Sequence, residues 1–278
     1  MEQGRALVTG ASRGIGRATC IALADAGWRV IAGVRDQAAA ADAFAGRAGI
    51  ETVRLDVTDE ASIADAIGVA RAAGGLDLLV NNAGYALFAV VEEADLDEVR
   101  AMFETNFFGA LATTQAALPL LREGGGLVVN VTSLGARATS PVTGLYAATK
   151  AALRSTSEAL AMEGAAHGVR VVMVEPGMVD TEFPQATRRS GPAASGEGPY
   201  APLAGELIAS FRRWREQHPT PPEAVADAIV AAVAAEDPPF HLPVGEDAVR
   251  MSDLRRQVSD GQYLMLVAEF LGLDSLRP

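Results

Sequence analysis

Thr9-Gly10-Ala11-Ser12-Arg13-Gly14-Ile15-Gly16 follows the short apolar run Ala6-Leu7-Val8 and opens a helical pattern from Ile15 to Ala26 that stops at Gly27. Strand, glycine turn and helix in that order make a place for phosphate. Glycines let the backbone turn sharply and come close to a pyrophosphate, and the free N–H groups at the helix start favour an anion. Gly10, Ser12, Arg13, Gly14, Ile15 and Gly16 are therefore candidate contacts to a dinucleotide. A tight turn with no ligand is the plainer use of the same residues.

Outward from this turn the pattern repeats. Arg29 to Val34, Thr52 to Leu55, Leu76 to Val80, Gly126 to Val131 and Val169 to Val174 read as strands. Helical stretches separate them: one after Asp59, one from about Leu96 to Leu121, and one from Tyr146 to His167. Strands alternating with helices pair in parallel and are covered on both faces. The expected fold class is α/β, a doubly wound parallel sheet in three αβα layers.

Past Met178 the texture changes. Thr187 to Pro202 is rich in glycine, proline and serine and is expected to be a mobile loop. Leu203, Leu207, Phe211 and Trp214 then recur at helical spacing. Thr220-Pro221-Pro222-Glu223 predicts a helix start with Thr220 as cap and Glu223 closing a capping box. Phe240 to Val244 predicts an edge strand. The tail carries Leu254, Val258, Tyr263, Leu266, Val267, Phe270 and Leu271, a stripe expected in core or dimer packing. The chain is read as one domain over 1–278: a core of 5–181 and 220–244, a substrate lid of 182–219 and a C-terminal extension of 245–278.

Composition narrows the function. The 278 residues carry a net charge of −12, which argues against nucleic acid or an anionic membrane surface as partner. No apolar run is long enough for a bilayer span. Met1-Glu2-Gln3-Gly4-Arg5 does not resemble a signal peptide, and Cys20 has no cysteine to pair with, so a cytoplasmic location is expected. The histidines, His167, His218 and His241, are scattered, and no metal site is expected.

Lys150 is the only lysine among 23 basic residues, and it lies four residues after Tyr146. On a helix those positions share a face. A nearby ammonium favours an ionised phenol, so the pair is a candidate acid/base. A lone lysine on a solvated face is the plainer alternative.

Taken together, TGASRGIG, Asn81-Asn82-Ala83-Gly84, Asn106, Ser133, Tyr146 with Lys150, and Pro176-Gly177 resemble the short-chain dehydrogenases/reductases in order and spacing, from about Arg5 to Thr181. The resemblance implies a Rossmann fold and hydride transfer between a nicotinamide nucleotide and a carbonyl or alcohol. It implies Tyr146 as proton donor or acceptor and Lys150 on the nicotinamide ribose, lowering the pKa of Tyr146. Ser133 would bond the substrate carbonyl, and Asn106 would hold a relay water. Asn82, Ala83 and Gly84 would line the adenosine side, Asp56 and Val57 would meet adenine, and Pro176, Gly177, Val179 and Thr181 would flank the nicotinamide. Turn-capping by Ser133, local bonding by Asn106 and helix-capping by Asp56 near Thr58 are the plainer alternatives.

The second strand ends Val34-Arg35-Asp36. An NAD site wants an acid there, whereas Arg35 with Arg13 suits a 2′-phosphate, so NADP(H) is favoured over NAD(H). Asp36 would be the NAD carboxylate if the alignment slipped by one residue. Glu175 departs from the asparagine many members carry before Pro-Gly. Val-Glu-Pro-Gly with a long tail is similar to the steroid and retinol dehydrogenase side, hinting at a bulky apolar substrate. The expected function is an NADP(H)-dependent ketoreductase. The alternatives are a catalytically silent nucleotide-binding regulator, an NAD-dependent alcohol dehydrogenase, or another reaction such as epimerisation on the same scaffold. A homodimer or homotetramer is expected.

Overall fold

The computed structural model describes residues 4–182 and 187–273. Its centre is a seven-stranded parallel sheet. In chain order the strands are β1 (Arg5–Thr9), β2 (Arg29–Val34), β3 (Ile50–Arg54), β4 (Leu78–Asn81), β6 (Leu127–Val131), β7 (Arg170–Pro176) and β9 (His241–Val244). Their spatial order is β3-β2-β1-β4-β6-β7-β9. The order reverses between β1 and β4, the kind of switch point where open α/β sheets bind ligands beyond the carboxyl ends of their strands.

The strands alternate between two cores because successive side chains face opposite ways. Ala6, Val8, Leu78, Val80, Val129 and Val172 face one core, which packs on helices α1 (Gly14–Asp25) and α7 (Pro222–Ala234). Leu7, Leu79, Val128 and Val171 face the other, against α2 (Glu60–Ala72), α4 (Gly109–Gly124) and α5 (Gly144–Ala165). Cys20 is a buried free cysteine in the first core, and burial pushes its thiol pKa up.

The stretch expected as one helix over Leu96 to Leu121 is broken. Helix α3 (Leu96–Phe103) runs into a π-helical turn, Glu104–Phe108, before α4 begins. A π turn carries one extra residue and is frequent at functional sites. Asn106 lies inside it, fully buried.

A second expectation fails at the start of α7. Pro221, not Thr220, takes the cap position of α7, and no side chain caps that helix. Thr220 is instead spent in an extended bridge with Val179, and its carbonyl accepts from Asp180 N at 2.8 Å. Its hydroxyl is thus one residue too early to serve as a cap.

The Gly/Pro/Ser-rich stretch, expected as a loop, carries short elements of its own. Arg188–Arg189 form β8, which pairs in parallel with β5 (Leu87–Phe88), and a 3₁₀ turn spans Pro192–Ser195. Ala193 N donates to Glu93 Oε2 at 2.8 Å, Asp95 N to Ser190 Oγ at 3.0 Å, and the Tyr200 hydroxyl to Glu92. Acidic side chains outside the stretch satisfy it, and a composition rule cannot see them. The sequence also offers Phe183, with the stripe from Leu203 to Trp214 and the tail, as part of an apolar pocket wall; Phe183 lies outside the described residues.

Helix α6 (Ala201–Gln217) carries the expected stripe, and the tail forms α8 (Glu246–Gln257) and α9 (Asp260–Leu271). Leu207, Val142, Tyr263, Val267 and Leu271 share a third apolar core, so the tail stripe packs as core.

Candidate active site

The glycine turn is a cradle with no room for side chains. A Cβ on Gly10, at φ +66°, would stand 2.8 Å from Ala83 Cα, and one on Gly16 would stand 2.4 Å from Gly10 O. Contacts that close require glycine. Thr9 and Asn82 lock the turn to β4. Thr9 Oγ1 accepts from Asn82 N and Ala83 N at 3.0 Å each, and Asn82 Nδ2 donates to Thr9 O and Gly10 O at 3.0 and 3.1 Å. Asn82 and Ala83 therefore support the turn. Ser12 and Arg13 are exposed on it, and Ile15 is partly buried beneath it.

Around the ribose end, Arg35 and Asp36 are both exposed. Asp36 Oδ1 accepts from Ala39 N at 3.0 Å, so its carboxylate already has a local partner. Asp56 likewise bends onto Thr58, accepting from its N and Oγ1 at 3.0 and 2.8 Å, while Asp59 caps α2. Val57 is buried against Gly109, where a Cβ would meet it at 2.7 Å.

The chemistry-bearing groups converge at the carboxyl ends of β4, β6 and β7. Ser133 begins a 3₁₀ turn after β6, and its Oγ accepts from Gly135 N at 3.0 Å. The turn-capping alternative is thus correct, yet Ser133 also shares a hydrogen bond with the Tyr146 hydroxyl. Tyr146 is half-buried in the first turns of α5. Desolvation pushes its phenol up to about 12, against the pull of the Ser133 bond. The direction is opposite to the activated tyrosine expected from the sequence. Lys150 is buried, donates Nζ to Val131 O at 2.9 Å, and is brought down to about 8 by desolvation. Both groups are thus biased toward their neutral forms, because burial penalises charge of either sign.

Asn106 reaches this point through the π turn. Its Oδ1 accepts from Tyr85 N at 3.0 Å, and Nδ2 donates to Tyr85 O at 2.9 Å and Thr149 Oγ1 at 3.0 Å. Both amide protons are committed to structure. A Cβ on Gly84 would lie 2.9 Å from Asn106 Oδ1 and 3.5 Å from Lys150 Nζ, which places these three residues together.

From Pro176 at the end of β7, the chain through Gly177, Val179 and Thr181 turns back toward the glycine cradle; Thr181 Cγ2 would be 3.4 Å from a Cβ on Gly14. The sequence did not reveal what holds this turn or the one after Ser133. Arg137 Nε donates to the buried Glu175 carboxylate. Asp247 accepts from Met178 N at 2.7 Å. Val142, just before α5, has φ +63°, a costly conformation for a β-branched residue. Only Glu175 left a trace in the sequence, as a departure from the usual asparagine.

Comparison with known proteins agrees with this geometry. The profile of the short chain dehydrogenase family matches residues 5–191. Oxidoreductase BOA17 of Botryotinia fuckeliana is 32% identical over 255 residues, 90% of this chain and 92% of its own. A short-chain dehydrogenase structure from Streptomyces avermitilis is 35% identical, with TM-score 0.82 over 96% of this chain and 98% of its own. A Burkholderia cenocepacia short chain dehydrogenase in complex with NADP is 30% identical, TM-score 0.76, over 100% and 99%. A 3-ketoacyl-(acyl-carrier-protein) reductase from Brucella melitensis, complexed with NADH, is 26% identical, TM-score 0.75, over 88% and 97%. With a glycine cradle at the sheet's switch point and Ser133, Tyr146 and Lys150 gathered beside it, the chain belongs to the short-chain dehydrogenase family, whose members are nicotinamide-nucleotide oxidoreductases.

Proposed function

We propose that this protein is an NADP(H)-dependent ketoreductase for a bulky apolar ketone or aldehyde. The observation that carries the reading is the Ser133–Tyr146 hydrogen bond, set one helical turn from the buried Lys150 and beside the glycine cradle. A bound nicotinamide would supply the hydride or accept it. The residues of this chain do the rest. Gly10, Gly14 and Gly16 leave backbone room for the pyrophosphate, and Arg13 and Arg35 offer guanidinium donors to a 2′-phosphate. Asp56 and Val57 face the adenine side, and Asn82, Ala83 and Gly84 line the adenosine side, with Gly84 next to Lys150.

At the substrate, Ser133 and Tyr146 direct their hydroxyls at the carbonyl oxygen as negative charge builds there, and Tyr146 gives up its proton to it. Lys150 holds the ribose hydroxyls and, as an ammonium, favours the tyrosinate left behind. Asn106 fixes the backbone of Tyr85 and the Thr149 hydroxyl around that lysine. Leu134, next to Ser133 in the chain, packs on the third apolar core with Val142 and Phe88, which supports an apolar substrate.

The test mixes the purified protein with NADPH and a panel of ketones and follows absorbance. Cyclic or long-chain apolar ketones should be reduced faster than small hydrophilic ones. Tyr146→Phe should abolish turnover and leave nucleotide binding intact. No turnover with any carbonyl or alcohol, by a protein that binds the nucleotide, would favour the silent regulator.

A further inference from the structure

The turn after β7 is held from one direction. Gly177 N donates to Val244 O at 2.9 Å, Met178 N to Asp247 Oδ2 at 2.7 Å and Asp180 N to Thr220 O at 2.8 Å. All three acceptors lie beyond α6 in the chain. Two are backbone carbonyls; the third is a carboxylate.

Asp247 is 2% exposed, in the first turn of α8. A buried carboxylate is costly unless its oxygens are satisfied. Here one oxygen takes Met178 N and the other Ala248 N, at 2.9 Å. The fit against the turn is close enough to dictate a neighbour: a Cβ on Gly177 would stand 1.9 Å from Oδ1. Glycine at 177 is thus required by the carboxylate from the tail.

We infer that Asp247 is a positioning residue for the nicotinamide half of the nucleotide, and that the C-terminal extension is therefore part of the cofactor site. The inference rests on the proposed placement of Pro176, Gly177, Val179 and Thr181 beside the nicotinamide. The charge-assisted bond to Met178 N fixes the backbone of that turn. The glycine cradle and Arg35 lie at the ends of β1 and β2, and none of the described contacts of Asp247 reaches them. Loss of Asp247 should therefore weaken one half of the nucleotide's binding and spare the other.

The test titrates the full chain, Asp247→Ala and Asp247→Asn with NADPH and with 2′,5′-ADP, which lacks the nicotinamide and its ribose. Asp247→Ala should bind NADPH about 10- to 100-fold more weakly, the range for a hydrogen bond to a charged group, and 2′,5′-ADP within about twofold of the parent. Asp247→Asn keeps one acceptor and should fall between. If Asp247→Ala shows no cooperative melt, Asp247→Asn alone decides. Equal losses for both ligands would mean general destabilisation and would overturn the inference, as would unchanged NADPH affinity. A parent that binds neither NADPH nor NADH would overturn the nucleotide reading itself, and the inference with it.

Discussion

Arg137 Nε donates to both oxygens of the Glu175 carboxylate, at 2.8 and 3.1 Å, where the side chains are only 13% and 1% exposed. The pair ties the segment after Ser133 to the end of β7, one residue before Pro176. His241 Nδ1 lies 3.1 Å from the same carboxylate and brings in the edge strand β9. Removing one partner of a buried pair strands the other charge, at about 3–5 kcal/mol. Glu175→Gln should lose stability on that scale in urea denaturation. Arg137→Met combined with Glu175→Gln should recover most of it. A single variant within about 0.5 kcal/mol of the parent, the usual range for inconsequential surface changes, would show the pair to be idle.

Lys150 predicts a conflict between stability and activity. Its pKa falls from 10.5 to about 8 on folding. Between those values the unfolded chain holds a proton that the folded one lacks, so stability from this group rises with pH across that window. Below about 8 the fold bears the cost of a buried ammonium. Tyr146 acts oppositely: with its pKa raised from 10.0 to about 12, its contribution is present below 10 and lost between 10 and 12. Lys150→Met should therefore be more stable than the parent at pH 7, by about 1–3 kcal/mol, and lose that advantage toward pH 10.5. It should also be inactive. Melting curves across pH 6–11 check the first point and NADPH turnover the second. A less stable Lys150→Met at pH 7 would contradict the argument.

Arg35 should decide between the two nucleotides. Arg35 and Asp36 are both exposed at the end of β2, but the Asp36 carboxylate is already engaged with Ala39 N. A bond to a charged phosphate is worth about 1.5–3 kcal/mol. Arg35→Ala should weaken NADPH binding by one to two decades and leave NADH nearly unchanged. An NADH preference in the parent would assign the ribose to Asp36.

Assembly should depend on the outer faces of α4 and α5. Phe108, the last residue before α4, is 48% exposed, and Met162 on α5 is 74% exposed. Large apolar groups in contact with water are what a symmetric interface removes. Met162→Glu should shift a dimer or tetramer toward monomer in light scattering at micromolar concentration. An unchanged mass would place the interface elsewhere.

Much of this fold was legible because its signals are local. The short apolar runs gave β1, β2, β6 and β7 nearly to the residue, and the glycine turn marked the cofactor end of the sheet. The grouping of Ser133, Tyr146 and Lys150 was legible through resemblance. What stayed hidden depends on long-range partners. Thr220 has the chemistry of a cap, but Val179 claims its backbone. The stretch after Thr187 looks unstructured until Glu92 and Glu93 supply its acceptors. The pKa directions of Tyr146 and Lys150 follow from burial, which no spacing rule conveys. Asp247 is one acid among 35 until the chain is folded.

The π turn at Glu104–Phe108 limits how this enzyme can be redesigned. Its extra residue looks like a fault to any procedure that rewards regular helices. Excising one residue there would restore ideal geometry and rotate α4 relative to α3 by about 100°. Asn106 would leave Tyr85 and Thr149, or the face of α4 that packs on the sheet would turn away from it. An insertion elsewhere in α4 could not compensate, since register is set before the helix meets the sheet. Stabilisation campaigns on this scaffold should therefore treat residues 104–108 as fixed in length and draw their gains from outside them.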